Sequence, residues 1–484
     1  MNPKYLIRKY HNIPVQLKAS FWFVVCSFVQ KGISLITTPI FTRLLTTYEY
    51  GKYSVFSSWL NFFTIIITLD ICEGVYSQGL VKFEKDKRAF ASSMQGLTMC
   101  LCLVWLIIYS FFCNFLNSVL LLTTTQVLVM FGLIWTSTIF NFWAAYERVQ
   151  YRYVKLVFMT LLVAVAKPVI SILFIYWFKN RFMARILGLL VAQLIYIVLF
   201  FRQLTEGRTF FHKKYWIYVL KFNVLLLPHY LSTSVINGAD RIMIEKMIGV
   251  EEAGIYSLAY SVALILSILN SALFQTITPW LYTKIKEKDF TGIPRVAYPT
   301  MILIAGINTL LILFAPEIIH IFAPKEYYNA IYVIPPVTMS VFFMFIYGYF
   351  ACFEFYYEKS HYISFATFIE ATLNIGLNYI FIKKYGYYAA GYTTLFCYFL
   401  FAFLHYYFMK KVCKQYLEGI CVYDWKKILK ITISFLCIGF GVAFTYPFPY
   451  VRYLLIVIFM GISICKRKSV FKMVEDILLI KKQK

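Results

Sequence analysis

The chain is a succession of apolar runs of membrane-crossing length, and this fixes its fold class before any motif is considered. A helix needs about 20 mostly apolar residues to cross the hydrocarbon. On that measure fourteen runs stand out, at roughly 17–39, 53–76, 90–113, 119–143, 156–178, 185–201, 217–237, 254–276, 297–315, 329–353, 361–382, 387–409, 428–446 and 451–465. No polar stretch between them exceeds roughly 20 residues, which leaves little room for an extramembranous catalytic domain. Composition agrees, with 61% apolar and 14% charged residues, against about 45–50% and 25% in soluble domains. The expectation is an all-α integral membrane protein of about fourteen transmembrane helices. The first run follows the polar start MNPKYLIRKYHN, has no small-residue cleavage site and is too long for a signal peptide, so it reads as a retained anchor.

Charge placement tests the count independently. With a cytoplasmic N-terminus, the inner turns and tails hold 33 of the 47 Lys and Arg, the outer turns hold 11, and Lys31, Lys167 and Lys221 fall within spans or at their edge. That bias fits the positive-inside rule with both termini inside. Most of the +25 net charge is therefore a topology signal and an attraction to anionic lipid, not a nucleic-acid footprint.

Two segments repeat at one offset. Glu49, Gly51, Tyr53 and Ser54 recur as Glu252, Gly254, Tyr256 and Ser257, 203 residues later, Arg43 maps to Lys246, and Gly188 maps to Gly391. Six spans separate the copies, so the halves are expected as parallel repeats, the construction of many secondary transporters. The expected layout is a cytoplasmic segment 1–16, an N-lobe 17–215 with spans 1–6, and a C-lobe 216–409 with spans 7–12. Spans 13 and 14 (410–465) are appended, followed by a basic cytoplasmic tail 466–484.

Ionisable residues at bilayer depth cost at least about 2.5–3.5 kcal/mol and normally face a cavity or a partner. Lys31 sits mid-span beside Gln30, and Lys167 lies near the middle of span 5 before Pro168, read as a helix breaker. Asp70 and Glu73 close span 2, Glu370 and Asn374 share one face of span 11, and Asp240 and Arg241 begin the turn after span 7, near His229 and Asn237. Two deep lysines make an electropositive interior that suits a phosphate-bearing group. The bland alternative is that each lysine pairs with Asp70, Glu73 or Glu370 and only locks helices together. Asp240 with Arg241 reads equally as an exposed helix-end pair, and Glu370 as either coupling a cation or pairing helices.

Chemistry is not indicated. There is no P-loop motif, no H-E-x-x-H and no D-x-D pair among six aspartates, and the six histidines are scattered. Nine of eleven cysteines lie in or beside apolar runs, Cys413 and Cys421 fall in a polar loop, and no C-x-x-C occurs. No metal or cofactor is expected, and no enzyme activity.

The stretches PIFTRLLTTYEYGKYSVFSSWLNFFTIIITL, GLVKFEKDKRAFASSMQG, ADRIMIEKMIGVEEAGIYSLAYSVA and LNIGLNYIFIKKYGYYAAGYTT resemble bacterial polysaccharide-repeat exporters, the O-antigen or capsule flippases (Wzx type). These belong to the multidrug/oligosaccharidyl-lipid/polysaccharide exporter superfamily. The resemblance implies two six-helix lobes around a central cavity and two further helices. It implies alternating-access transfer of undecaprenyl-pyrophosphate-linked oligosaccharide to the outer leaflet of the bacterial cytoplasmic membrane. Lys31, Lys167 and Arg241 would then hold the pyrophosphate, with Asp70, Glu73, Glu370, Asn374 and Asp240 as coupling or helix-pairing residues. Membrane lipids, a polysaccharide polymerase and chain-length proteins are the implied partners. Related lipid II flippases are known for arginine where this chain has lysine. A cation-coupled drug exporter, a lipid II flippase, a membrane-embedded polymerase or ligase and a structural scaffold are the rival readings.

Overall fold

The computed structural model describes residues 14–420 and 422–465, so most of the 1–16 segment, Cys421 and the 466–484 tail lie outside the described residues. Among the described residues the chain is helical throughout, with no strand. Of these described helices twelve are long and apolar enough to cross a membrane, and a bent pair brings the number to thirteen. The fourteenth expected run forms Pro449–Cys465, whose 17 residues fall short of the about 20 a crossing needs. The fourteen runs therefore become twelve full spans, one broken span and one short apolar helix.

The chain divides into two compact units, Met1–Ser234 and Val235–Lys484. In the first unit the helices are α1 (Val15–Leu44), α2 (Thr47–Thr68), α3 (Ser77–Lys82), α4 (Lys87–Phe111), α5 (Cys113–Leu120), α6 (Thr124–Val149), α7 (Tyr153–Trp177), α8 (Arg181–Gln193) and α9 (Tyr196–Gly207). Helix α10 (Lys213–Met247) carries the chain across the division. The second unit continues with α11 (Val250–Ala263), α12 (Ile265–Lys286), α13 (Ile293–Leu313), α14 (Ala315–Phe322), α15 (Ile334–Tyr356), α16 (Ser360–Tyr385), α17 (Tyr388–Tyr416), α18 (Trp425–Phe444) and α19 (Pro449–Cys465).

The sequence repeat is also a repeat of helix ends. Leu44 and Met247 close α1 and α10, and Thr47 and Val250 open α2 and α11, each pair separated by the same 203 residues. The local cause is legible in the first copy. Thr46 accepts from the Glu49 N–H at 3.2 Å while the Glu49 carboxylate accepts from the Thr46 N–H at 2.9 Å, a capping box that satisfies two donors of the new helix. Glu252 occupies the matching first turn of α11.

Packing within each unit follows from which faces are apolar. In the first, Phe56, Ile67, Met130, Leu133, Ile134, Phe182 and Ile186 form one core, and Tyr76, Phe90, Phe142, Tyr215 and Val219 form another around the end of span 2. In the second, α15 is central, buried over almost its whole length from Ile334 to Glu354. His405 Nδ1 lies 2.8 Å from Glu354 Oε1, a fully buried pair that ties α17 to α15. The last two helices are fastened to α13 and α14: the Tyr446 hydroxyl donates to the Ile312 carbonyl at 2.7 Å, Arg452 pairs with Glu317, and the Tyr453 hydroxyl donates to the same carboxylate at 2.9 Å.

Three local expectations change. Pro168 does not break its helix, because α7 runs through it to Trp177. The cost is one missing N–H, which frees a carbonyl a turn earlier. Asp240 and Arg241 do not begin a turn; α10 continues two turns past them to Met247. Cys413 is not in a loop but is buried in the last turns of α17.

Candidate functional site

The first polar constellation is made by a break in span 2. Helix α2 ends at Thr68, Leu69 and Asp70 take left-handed φ of 51° and 47°, and a π-turn over Cys72–Tyr76 leads into α3 at 62° to α2. Left-handed backbone at a leucine costs roughly 1–2 kcal/mol, and the break leaves carbonyls without their helical donors. In a membrane such backbone is tolerated only where protein or a polar cavity covers it. Asp70 and Glu73 therefore sit on the break itself, with Asp70 half-buried and Glu73 exposed, and the helix resumes after them.

Asn223 of α10 covers this break. Its side chain is fully buried, donates to the Val219 carbonyl at 3.0 Å and leaves Oδ1 without a partner. A Cβ at Gly74 would lie 1.9 Å from that oxygen and 3.1 Å from the Tyr230 hydroxyl, so glycine is required for the two spans to approach this closely. Gly74→Ala must rotate Asn223 and cost the bond to Val219, a loss of about 1–3 kcal/mol. Thermal unfolding in detergent should show the drop, and adding Asn223→Ala should recover most of it.

Lys31 and Lys167 lie on α1 and α7, which pack against each other in this unit. Lys31 is exposed and Lys167 half-buried. Among the described residues neither makes an ion pair or a hydrogen bond, with Asp70, Glu73 and Glu370 or with any other group. The helix-locking ion pair is thus not formed for either lysine. A mid-span ammonium without a counter-charge must face water or an anionic ligand.

The second constellation lies in the other unit. The fully buried Tyr256 hydroxyl donates to Asp240 Oδ2 at 2.5 Å, and the Arg241 N–H donates to Asp240 Oδ1 at 2.8 Å. The Arg241 guanidinium stands 4.0 Å from that carboxylate and 4.4 Å above the Tyr260 ring. Asp240 is itself buried, so an exposed helix-end pair is excluded. On α16, Glu370, Asn374 and Asn378 are buried at one-turn spacing. Asn378 donates to Asn374 at 3.0 Å and accepts from the Thr393 hydroxyl of α17. Glu370 Oε1 has no hydrogen-bond partner. Tyr260 and Tyr398 lie within electrostatic reach of both Asp240 and Glu370, joining the two groups.

Several of these residues escaped the sequence reading. Asn223 and Tyr260 carry no local signal, and Asn378 was findable only by extending the Glu370–Asn374 stripe one further turn. Tyr256 was visible as a repeat residue, but not its role. Its first copy, Tyr53, also meets a charge: the buried Arg185 guanidinium stacks 3.3 Å above the Tyr53 ring. In both units the repeated tyrosine holds a charged side chain at the head of the second span.

A two-unit helical membrane protein with broken and proline-bearing spans, and ionisable residues at bilayer depth, is a transporter-class architecture. Residues 16–284 match the family described as polysaccharide biosynthesis protein. The chain belongs to this family, within the multidrug/oligosaccharidyl-lipid/polysaccharide exporter superfamily, whose members are flippases and transporters of lipid-linked and other substrates. Two Haemophilus influenzae proteins are similar. An uncharacterized membrane protein is 22% identical over 74% of this chain and 89% of its own length. The Lsg locus putative protein 1 is 24% identical over 72% and 86%. Among solved structures, the lipid II flippase MurJ in an inward closed conformation aligns with a TM-score of 0.69 at 16% identity, covering 93% of this chain and 99% of that one. An inward-facing multidrug resistance MATE transporter aligns at 0.64 and 12%, covering 81% and 96%. At these identities both likenesses are of fold.

Proposed function

We propose that the protein moves polyprenyl-pyrophosphate-linked oligosaccharide repeat units, the building blocks of O-antigen or capsule, from the cytoplasmic to the outer leaflet by alternating access. The family membership supports the polysaccharide class. The observation that carries the reading is the absence of any counter-charge on Lys31 and Lys167 among the described residues. Two unneutralised ammoniums on adjoining helices are suited to a pyrophosphate that must leave water, and charge-assisted hydrogen bonds of this kind contribute about 1.5–3 kcal/mol each. Drug cations would be repelled by the same pair.

With an interior-negative membrane potential, moving about two negative charges outward is downhill by roughly 4–5 kcal/mol per 100 mV. Between Glu370 and Asp240, Glu370 is the residue we assign to coupling, because it shares a buried polar face of α16 with Asn374 and Asn378 and one of its oxygens has no hydrogen-bond partner, whereas both oxygens of Asp240 are taken.

The test is flipping of a pyrophosphate-linked oligosaccharide in proteoliposomes. Lys31→Ala with Lys167→Ala should slow it at least about tenfold, the effect of one lost charge-assisted bond. The double Lys→Arg variant should retain most of the rate. A wild-type rate in the double alanine variant overturns the pyrophosphate clamp, and efflux of organic cations in place of flipping would assign the protein to the drug-exporting branch.

A further inference from the structure

Helices α16 and α17 leave an apolar furrow between them on the second unit, with a cavity of about 560 Å³. Its walls are two stripes at one-turn spacing: Leu377, Phe381 and Tyr385 on α16, and Tyr388, Tyr392 and Phe396 on α17. Residues four apart stack on one helix face, so each stripe is a continuous apolar wall. From Leu377 to Tyr385 the furrow runs about 12 Å along the helix axis, close to the roughly 15 Å depth of a single leaflet. Phe381, Tyr385, Tyr392 and Phe396 are all exposed, so the trough is open along its side.

Lys384 stands at its end, in the last turn of α16, exposed and with Nζ 5.1 Å from the centre of the Tyr385 ring, whereas Lys383, two residues from both Phe381 and Tyr385, is on the opposite face of the helix. The turn they precede is on the cation-poor side of the protein, which holds only 11 of the 47 Lys and Arg. They are the sole adjacent cation pair on that side of the sequence. Topology does not call for cations there, whereas an anionic headgroup beside Lys384 does.

We propose that this furrow seats the chain of a polyprenyl phosphate in one leaflet, with Lys384 holding its phosphate. A trough one helix pair wide accepts a single chain, whereas a phospholipid brings two. Five of the six wall residues are aromatic, and flat rings pack well on the planar double bonds of an isoprenoid. The site deepens the functional reading above and rests on it for the identity of the lipid.

The experiment uses the full-length protein in nanodiscs of phosphatidylethanolamine and phosphatidylglycerol, with a polyprenyl phosphate carrying a benzophenone at the chain end. Photolabel should map to the peptides bearing Phe381, Tyr385, Tyr392 and Phe396. Excess unlabelled polyprenyl phosphate should remove it, and added phosphatidylglycerol should not. Lys384→Gln, at an exposed position, should lower labelling at least fivefold, as should Leu377→Trp, which narrows the trough from one wall, while Lys383→Gln should not. Equal displacement by phosphatidylglycerol would make this an ordinary lipid contact and overturn the proposal. So would absence of label from the furrow, whether the chain travels elsewhere or a second copy of the protein covers the site, while flipping continues. Label in the furrow with no flipping of the pyrophosphate-linked substrate would keep the site and overturn the transport reading instead.

Discussion

Gly188→Val is expected to remove the protein from the membrane fraction or leave it unable to withstand mild detergent. Gly188 lies in α8, where a Cβ would fall 2.5 Å from Ser171 Cα, 2.7 Å from Ser171 N and 2.8 Å from its Oγ. These are mainly backbone atoms of α7, so no rotamer change relieves the overlap. The two helices would have to separate, and the contact that goes with their close approach, the Ser171 hydroxyl on the Arg185 carbonyl at 3.1 Å, would go with it. Membrane helices associate largely through close packing at small residues, and overpacking a tight contact costs about 1–3 kcal/mol or more. Arg185 also braces α8 against Tyr53 and Phe41, so the damage should spread to the junction of the first two spans. Even Gly188→Ala should be poorly tolerated. Gly391, the repeat partner, is the internal control. Its nearest neighbour is a side-chain atom, Pro336 Cγ at 3.0 Å, so Gly391→Ala should keep most of the protein folded. Membrane yield and melting temperature of the three variants check the order, and a wild-type Gly188→Val would contradict the close helix crossing.

The pair also shows what the sequence could disclose. Apolar length placed twelve full spans, with the broken span and the short last helix also falling on apolar runs, because hydrocarbon offers the backbone no water and leaves no alternative to helix. The 203-residue offset marked a repeat whose copies open α2 and α11 at matching positions, since a capping turn is written in a few adjacent side chains, although the apolar runs before them end earlier, at 39 and 237. Partnerships were not legible. Gly188 packs on span 5 and Gly391 on span 10, a difference that one repeated glycine cannot announce. The break at Leu69 and Asp70 carries no proline and follows an unbroken apolar run, and the residue packed against it, Asn223 at Gly74, lies about 150 residues away in the chain. Likewise Asp240 looked like a helix end because it is charged and follows the apolar run of span 7, yet Tyr256 gives it a buried partner and the helix continues. Lys31 and Lys167 were legible as deep cations; that neither is neutralised among the described residues was not.

Asp240→Ala should cost about 3–5 kcal/mol, the penalty for removing one member of a buried charged network. The substitution strands the Tyr256 hydroxyl, which is fully buried and donates only to this carboxylate, and it takes the counter-charge from Arg241 4.0 Å away. Asp240→Asn keeps an oxygen for Tyr256 and loses only the charge, against a guanidinium that already stacks on Tyr260, so it should be much milder. Tyr256→Phe should fall between them, because it leaves the carboxylate short of one donor at about 1–3 kcal/mol. If the pair is a unit, Asp240→Ala combined with Tyr256→Phe should melt higher than Asp240→Ala alone, as the orphaned hydroxyl is gone. Melting in detergent gives the order, and flipping in proteoliposomes separates packing from coupling. With both oxygens of Asp240 engaged, Asp240→Asn should flip within a few-fold of wild type. Glu370→Gln should melt close to wild type, because its free oxygen gives up no bond, while its rate loses dependence on the coupling cation. A tenfold slower Asp240→Asn that melts normally would move the coupling charge from α16 to α10.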